Sequence, residues 1–249
     1  MGDIGQVYAE GRQRITELVS GVSPERLDTR VPACPEWTVR DIVAHLAGVC
    51  TDVLEARIDG VATDPWTAAQ VEARRGRSVD ELLDEWSTAA PQVEAIAGHF
   101  PGRMGTQWVL DLTSHEHDIR HALGTPGAQD SAGVAMALEF AVGGLAASVA
   151  ARGPAPLEVK AVDRGVSWVV GGEGETDLGA LVMGAEPPIG GDRVPEATVA
   201  APAFDLFRAL TGRRSRDQVR QFAWTGDADA YLPAFEFGPF KPAAADIEE

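Results

Sequence analysis

Along residues 3–151 apolar positions recur mostly at helical spacing, and the breaks between those runs mark where elements end. Ile4, Val7, Ile15, Leu18 and Val19 give residues 3–22 a helical period, stopped at Gly21 and the Ser23-Pro24 turn. Thr38 with Asp41, and Ser78 with Glu81, have the spacing at which a capping side chain and the residue three further on bond each other's backbone amides. They predict helices over residues 38–58 and 78–99. Between these, residues 60–76 are polar and contain Pro65, so a loop with one helical turn is expected. A fourth helix carries Trp108 through Leu123 and stops at Gly124-Thr-Pro126-Gly127, and residues 131–151 form a fifth, rich in Ala and Gly.

Past residue 153 the texture changes. Residues 157–162, 166–170 and 197–200 have strand character, and Gly171-Gly-Glu-Gly reads as a turn. Short helices are expected over 203–210 and 216–222, the second capped by Ser215. The expected fold is α+β: a four-helix bundle with an extra helix over residues 1–152, followed by a small α+β domain over 153–249. The Pro-broken, acidic tail after Tyr231 is expected partly to cover that domain and partly to be disordered.

The fourth helix breaks its own pattern. With His115 at zero and about 100° per residue, Trp108, Leu112, Ile119 and Ala122 fall within about 60° of it and form the buried arc. Asp111 and Asp118 fall on the same arc, at about −40° and −60°. An Asp and a His four apart project side by side, which offers a carboxylate oxygen and an imidazole nitrogen to one divalent cation; a hydrogen-bonded Asp-His couple is the competing reading. On the second helix His45 also sits in an apolar stripe with Ile42 and Val49, with Asp41 and Asp52 nearby. His117 and His121 fall about 160° and 120° from His115, so they are expected to point outward or flank the bundle. Asp118 is expected either to receive the second ring N–H of a ligand histidine or to anchor a helix elsewhere.

Composition narrows the function classes. A formal charge of −17 and a pI near 4.6 exclude a nucleic-acid groove, which needs a concentrated basic face. The one basic cluster, Arg208, Arg213, Arg214, Arg216 and Arg220, suits an anionic small molecule. No stretch approaches the roughly 20 apolar residues of a membrane span, and no basic region precedes an apolar run at the amino terminus, so no membrane partner and a cytoplasmic location are expected. Cys34 and Cys50 do not suggest a disulfide framework. No nucleophile elbow, phosphate loop or C-x-x-C pair is present.

Three blocks carry a resemblance. Cys34-Pro-Glu-Trp-Thr-Val-Arg-Asp-Ile-Val-Ala-His45-Leu, Asp111-Leu-Thr-Ser-His115-Glu-His-Asp118-Ile-Arg and Ala209-Leu-Thr-Gly212-Arg213-Arg214-Ser215 together resemble the mycothiol-dependent maleylpyruvate isomerase family. The resemblance covers nearly the whole chain and implies a DinB-like helical bundle followed by a sterol-carrier-like α+β domain. It also implies a divalent metal, typically zinc, held at the positions of His45, Asp111 and His115. Relatives carry Glu where Asp111 stands, so a small helix shift or altered coordination is expected. Mycothiol is the implied cosubstrate, its sulfur activated at the metal, with Arg213 or Arg214 holding a substrate carboxylate.

The function expected from these residues is metal-dependent isomerisation or S-conjugation of a small electrophilic, anionic substrate by a thiol. Two alternatives stay open: a thiol-independent metal hydrolase or isomerase of specialised metabolism, and a non-catalytic small-molecule-binding protein. A monomer or homodimer suits either.

Overall fold

The computed structural model of the chain describes residues 2–152, 155–190 and 193–249. Helix α1 (Ile4–Val19) is capped by Asp3, whose carboxylate accepts from the Gln6 amide at 2.8 Å. The single turn α2 (Pro24–Leu27) leads into an antiparallel pair, β1 (Arg30–Val31) and β2 (Cys34–Thr38), where an irregular segment was expected. Thr38 then closes the expected capping box with Asp41 and starts α3 (Val39–Leu54). There the Asp41 carboxylate accepts from the backbone amide and the hydroxyl of Thr38 at 2.9 and 2.8 Å.

Helix α4 (Asp64–Ala73) replaces most of the expected loop. It buries only Gln70 and Val71, so its sequence carries no apolar stripe to reveal it. Two features hold it in place. A methyl group on Gly48 of α3 would meet Gln70 Cβ at 2.7 Å, so glycine permits the close approach of α4. Farther along, the Arg74 guanidinium bonds Glu85 on α5 (Val79–Ile96) at 2.5 Å, and Arg77 bonds the same carboxylate. Helix α5 starts at the expected Ser78/Glu81 capping box and ends in the 3₁₀ turn Ala97–His99.

Helix α6 (Met104–Leu123) is more deeply buried than its pattern suggests. Every residue from Leu112 to Ile119 is buried, including Glu116, His117 and Asp118. His117 therefore does not point to solvent as its angle implies: the helix is enclosed on all faces along this stretch, so the period no longer sorts inside from outside. His121, one turn later, is half-buried.

Packing divides the chain into two compact units: Met1–His99 with Asp111–Gly127, and Phe100–Leu110 with Ala128–Glu249. The boundary expected at residue 153 falls outside the described residues. Helix α7 (Ala132–Arg152), read from sequence as part of the bundle, belongs to the second unit. There Val134, Leu138, Val142, Leu145 and Val149 join Leu157, Val159, Val199 and Phe207 in one core, each fully buried large aliphatic adding about 1.5–3 kcal/mol. With 21 residues and a mean hydropathy of 1.8 in its most apolar window, α7 has the length and apolarity of a membrane span, contrary to the expectation from sequence. Two thirds of that window is buried within the protein, the signature of a core helix.

The second unit's sheet has the order β4-β3-β5-β6, from β3 (Leu157–Ala161), β4 (Val166–Val170), β5 (Ala197–Ala201) and β6 (Ala223–Thr225). Strand β3 is antiparallel to β4 and parallel to β5, while β6 runs antiparallel to β5. The parallel pair needs a crossover, which contains α8 (Leu178–Val182). Alternate residues of β3 and β5 are buried, as expected of a sheet with one face on the core. Helices α9 (Ala203–Leu210), α10 (Arg216–Arg220) and α11 (Ala228–Tyr231) complete the unit with a 3₁₀ turn at Leu232–Phe235. The tail is anchored rather than partly disordered: Ala243 N donates to Arg214 O, Gln218 exchanges bonds with Ile247, and the Glu249 carboxylate reaches Arg208 and Arg214. These elements match the α+β fold expected from sequence, an N-terminal helical region followed by a mixed sheet with helices.

Candidate metal centre

His45 on α3 and Asp111 and His115 on α6 each place a ligand atom within 4.8 Å of the others. The two imidazoles are buried, whereas the Asp111 side chain keeps about a third of its surface exposed, giving the trio one open side. His45 Nε2 lies 3.2 Å from Asp111 Oδ2, and His115 Nε2 lies 3.6 Å from Asp111 Oδ1. Two ligand atoms on one tetrahedral zinc ion stand about 3.3 Å apart. The Asp111 carboxylate thus faces both imidazoles.

Hydrogen bonding fixes which nitrogen of His45 faces the carboxylate. Arg57 donates to Asp52 Oδ1 at 2.7 and 3.0 Å, and Asp52 Oδ2 accepts from Gln70 Nε2 at 2.8 Å. A carboxylate can only accept, so the amide nitrogen of Gln70 must point to Asp52 and its oxygen to His45. That oxygen accepts from His45 Nδ1 at 2.8 Å, which places the ring proton on Nδ1. In that tautomer the Nε2 lone pair faces Asp111. Two acceptors facing each other at 3.2 Å repel unless a cation or proton lies between them, and His115 Nε2 approaches the other oxygen of the same carboxylate at 3.6 Å. The donor set therefore fits a divalent ion.

Asp118, fully buried, places Oδ2 3.2 Å from His115 Nδ1, on the ring edge opposite Asp111. Trp37 of β2 covers both imidazoles, its ring centre 5.2 Å from that of His45 and 5.8 Å from that of His115. Below the site, Trp86 Nε1 donates to Tyr8 Oη at 3.3 Å, and Tyr8 Oη lies 3.4 Å from Cys50 Sγ. Burial pushes the Cys50 thiol up to about 12, so it stays protonated and inert. Neither cysteine is in a disulfide.

Residues 8–124 match the family described as the mycothiol maleylpyruvate isomerase N-terminal domain. That part of the chain belongs to the family. Curated proteins and solved structures give no match. All three converging residues, together with Trp37, Cys34, Gln70 and Asp118, fall inside the isomerase-family segment.

The two arginines expected to hold a substrate carboxylate lie in the second packing unit. Arg214 is buried, bonding Asp205 at 3.0 Å and Glu249 at 2.8 Å. Arg213 is half-buried and donates through Nη1 to Thr211 O at 2.7 Å. Within the isomerase-family domain, Gln70 and Trp37 are the functional candidates that residue spacing misses. Gln70 was hidden in the segment read as a loop, and Trp37 approaches the imidazoles from a strand rather than along a helix face.

Proposed function

We propose that the chain is a metal-dependent enzyme that uses mycothiol to isomerise or S-conjugate a small electrophilic, anionic substrate. The observation that carries this reading is the convergence of two imidazole Nε2 atoms on one half-open carboxylate, inside a segment that belongs to a mycothiol-associated family. His45, Asp111 and His115 hold the divalent ion, most simply zinc, because two nitrogens and one oxygen are the ligand set of open catalytic zinc sites. The ion supplies Lewis acidity, which lowers the pKa of a coordinated thiol.

The chain's own residues supply the rest. Gln70, Asp52 and Arg57 hold the His45 proton on Nδ1, leaving Nε2 as the ligand atom. Trp37 shields the imidazoles from water, and the exposed side of Asp111 is where thiol and substrate approach. A substrate carboxylate is held by Arg213 or Arg214, whose planar guanidinium groups suit a two-point grip. The enzyme is cytoplasmic and acts without nucleic acid or membrane.

Calorimetric titration of the metal-loaded protein with mycothiol tests the reading. Saturable one-to-one binding that is lost in Asp111→Asn is expected. A metal-loaded protein that does not bind the thiol contradicts the proposal and favours the thiol-independent hydrolase or isomerase.

A further inference from the structure

His115 lies between two carboxylates. Its Nε2 edge faces Asp111 at 3.6 Å and its Nδ1 edge faces Asp118 at 3.2 Å, yet Nδ1 is buried and out of line for a hydrogen bond. A neutral imidazole carries one proton and can satisfy only one of these carboxylates; the other meets a lone pair. On the Asp118 side there is a third donor. Cys34 Sγ lies 3.8 Å from the same Asp118 Oδ2, and Cys34, His115 and Asp118 each place a ligand atom within 4.8 Å of the others.

We propose that Cys34, His115 through Nδ1, and Asp118 form a second cation position that takes thiophilic ions, in alternation with the nitrogen-oxygen position on the other edge of the same ring. Sulfur and oxygen ligands on one tetrahedral zinc ion stand about 3.5 Å apart, so the 3.8 Å separation here suits a slightly larger soft ion such as cadmium. When that position fills, the Cys34 S–H proton leaves to solvent and His115 keeps its proton on Nε2, directed at Asp111. When the other position fills, the His115 proton moves to Nδ1, toward Asp118. A neutral ring cannot serve both ions, so loading is one ion per chain and ion softness selects the edge. The structure supplies an internal control, since Cys50 is buried with its thiol pushed up to about 12.

Cadmium titration of chelator-treated protein tests this, read by thiolate-to-cadmium charge-transfer absorption in the ultraviolet. The expected result is a band saturating at one ion per chain, weakened at least tenfold in affinity or lost in Cys34→Ser and retained in the His45→Ala, Asp111→Asn double variant. In the wild type, cadmium should also protect Cys34 from alkylation, as mapped by peptide mass. Absence of the band, its persistence in Cys34→Ser, or its loss in the double variant would each overturn the proposal. The readout uses the metal alone, so failure of thiol binding or catalysis leaves it unaffected.

Discussion

Two carboxylates on α6 meet opposite fates. Glu116 is wholly buried and receives four hydrogen bonds at 2.7–3.0 Å from two guanidiniums, Arg14 on α1 and Arg120 one turn along its own helix. Asp111, five positions earlier, faces two imidazoles whose Nδ1 edges are turned toward Gln70 and Asp118. The first cluster is electrically closed by arginines that cannot lose their charge. The second sets two imidazoles, whose charge depends on protonation, around one carboxylate, a donor set that suits a divalent ion. Burial alone does not mark a site; what marks it is a convergence of the side-chain types that hold a metal.

The sharpest way to break that contrast is to open the closed cluster. Glu116→Gln strands two arginines beside a neutral amide and should cost about 3 kcal/mol, near the lower end of the range for breaking a buried pair because Arg14 keeps some solvent contact. Urea denaturation of the metal-free protein measures it. A loss below about 1 kcal/mol would mean that Glu116 is not the strut described.

Next in size is the support of the open cluster. Gln70→Leu removes the acceptor that fixes the His45 tautomer and should weaken divalent-ion affinity about 10–100-fold. Competition against a chelator reads the change, with the fold checked by far-UV circular dichroism. If affinity is unchanged, the Arg57-Asp52-Gln70 relay does not orient the ligand.

Helix α4, which carries Gln70, is clamped through Glu85, and that clamp is pH-sensitive. Burial raises the Glu85 pKa, but hydrogen bonds from Arg74, Thr51 and Arg77 outweigh it and hold the group at about 2, below its usual 4.5. A depressed pKa contributes stability above the unfolded value that is lost as pH falls through the folded one. Stability should therefore decline between pH about 4.5 and about 2 with a slope that Glu85→Gln reduces. An unchanged slope would sink the assignment.

The smallest expected effect is the most informative partner to the first. Asp111→Asn should leave the metal-free protein within about 1 kcal/mol of wild type, because the carboxylate is partly exposed. A loss as large as that of Glu116→Gln would make the two clusters alike and remove the distinction.

Sequence reached the fold through local signals and missed what tertiary contacts alone decide. The Thr38/Asp41 and Ser78/Glu81 capping boxes placed two helix starts, and strand character located β3, β4 and β5. Helix α4 stayed hidden because its stabilisation comes from Gly48 and Glu85, on other helices, rather than from its own apolar stripe. At the candidate site, the angular count brought Asp111 and His115 onto one arc, and the geometry joins His45 to them. The same count sent His117 to solvent, since a period cannot report on a helix enclosed on every side. The pairing of Arg214 with Glu249 joins residues 35 positions apart, beyond any local pattern.

The central claim is that His45, Asp111 and His115 form a site completed by a divalent ion. Metal analysis of the purified protein by inductively coupled plasma mass spectrometry addresses it directly, alongside His45→Ala, His115→Ala and a His117→Ala control. The account predicts about one divalent ion per chain in wild type and in His117→Ala, and loss of that ion in the other two variants. Wild-type protein without stoichiometric metal, or metal retained in both His45→Ala and His115→Ala, would contradict it.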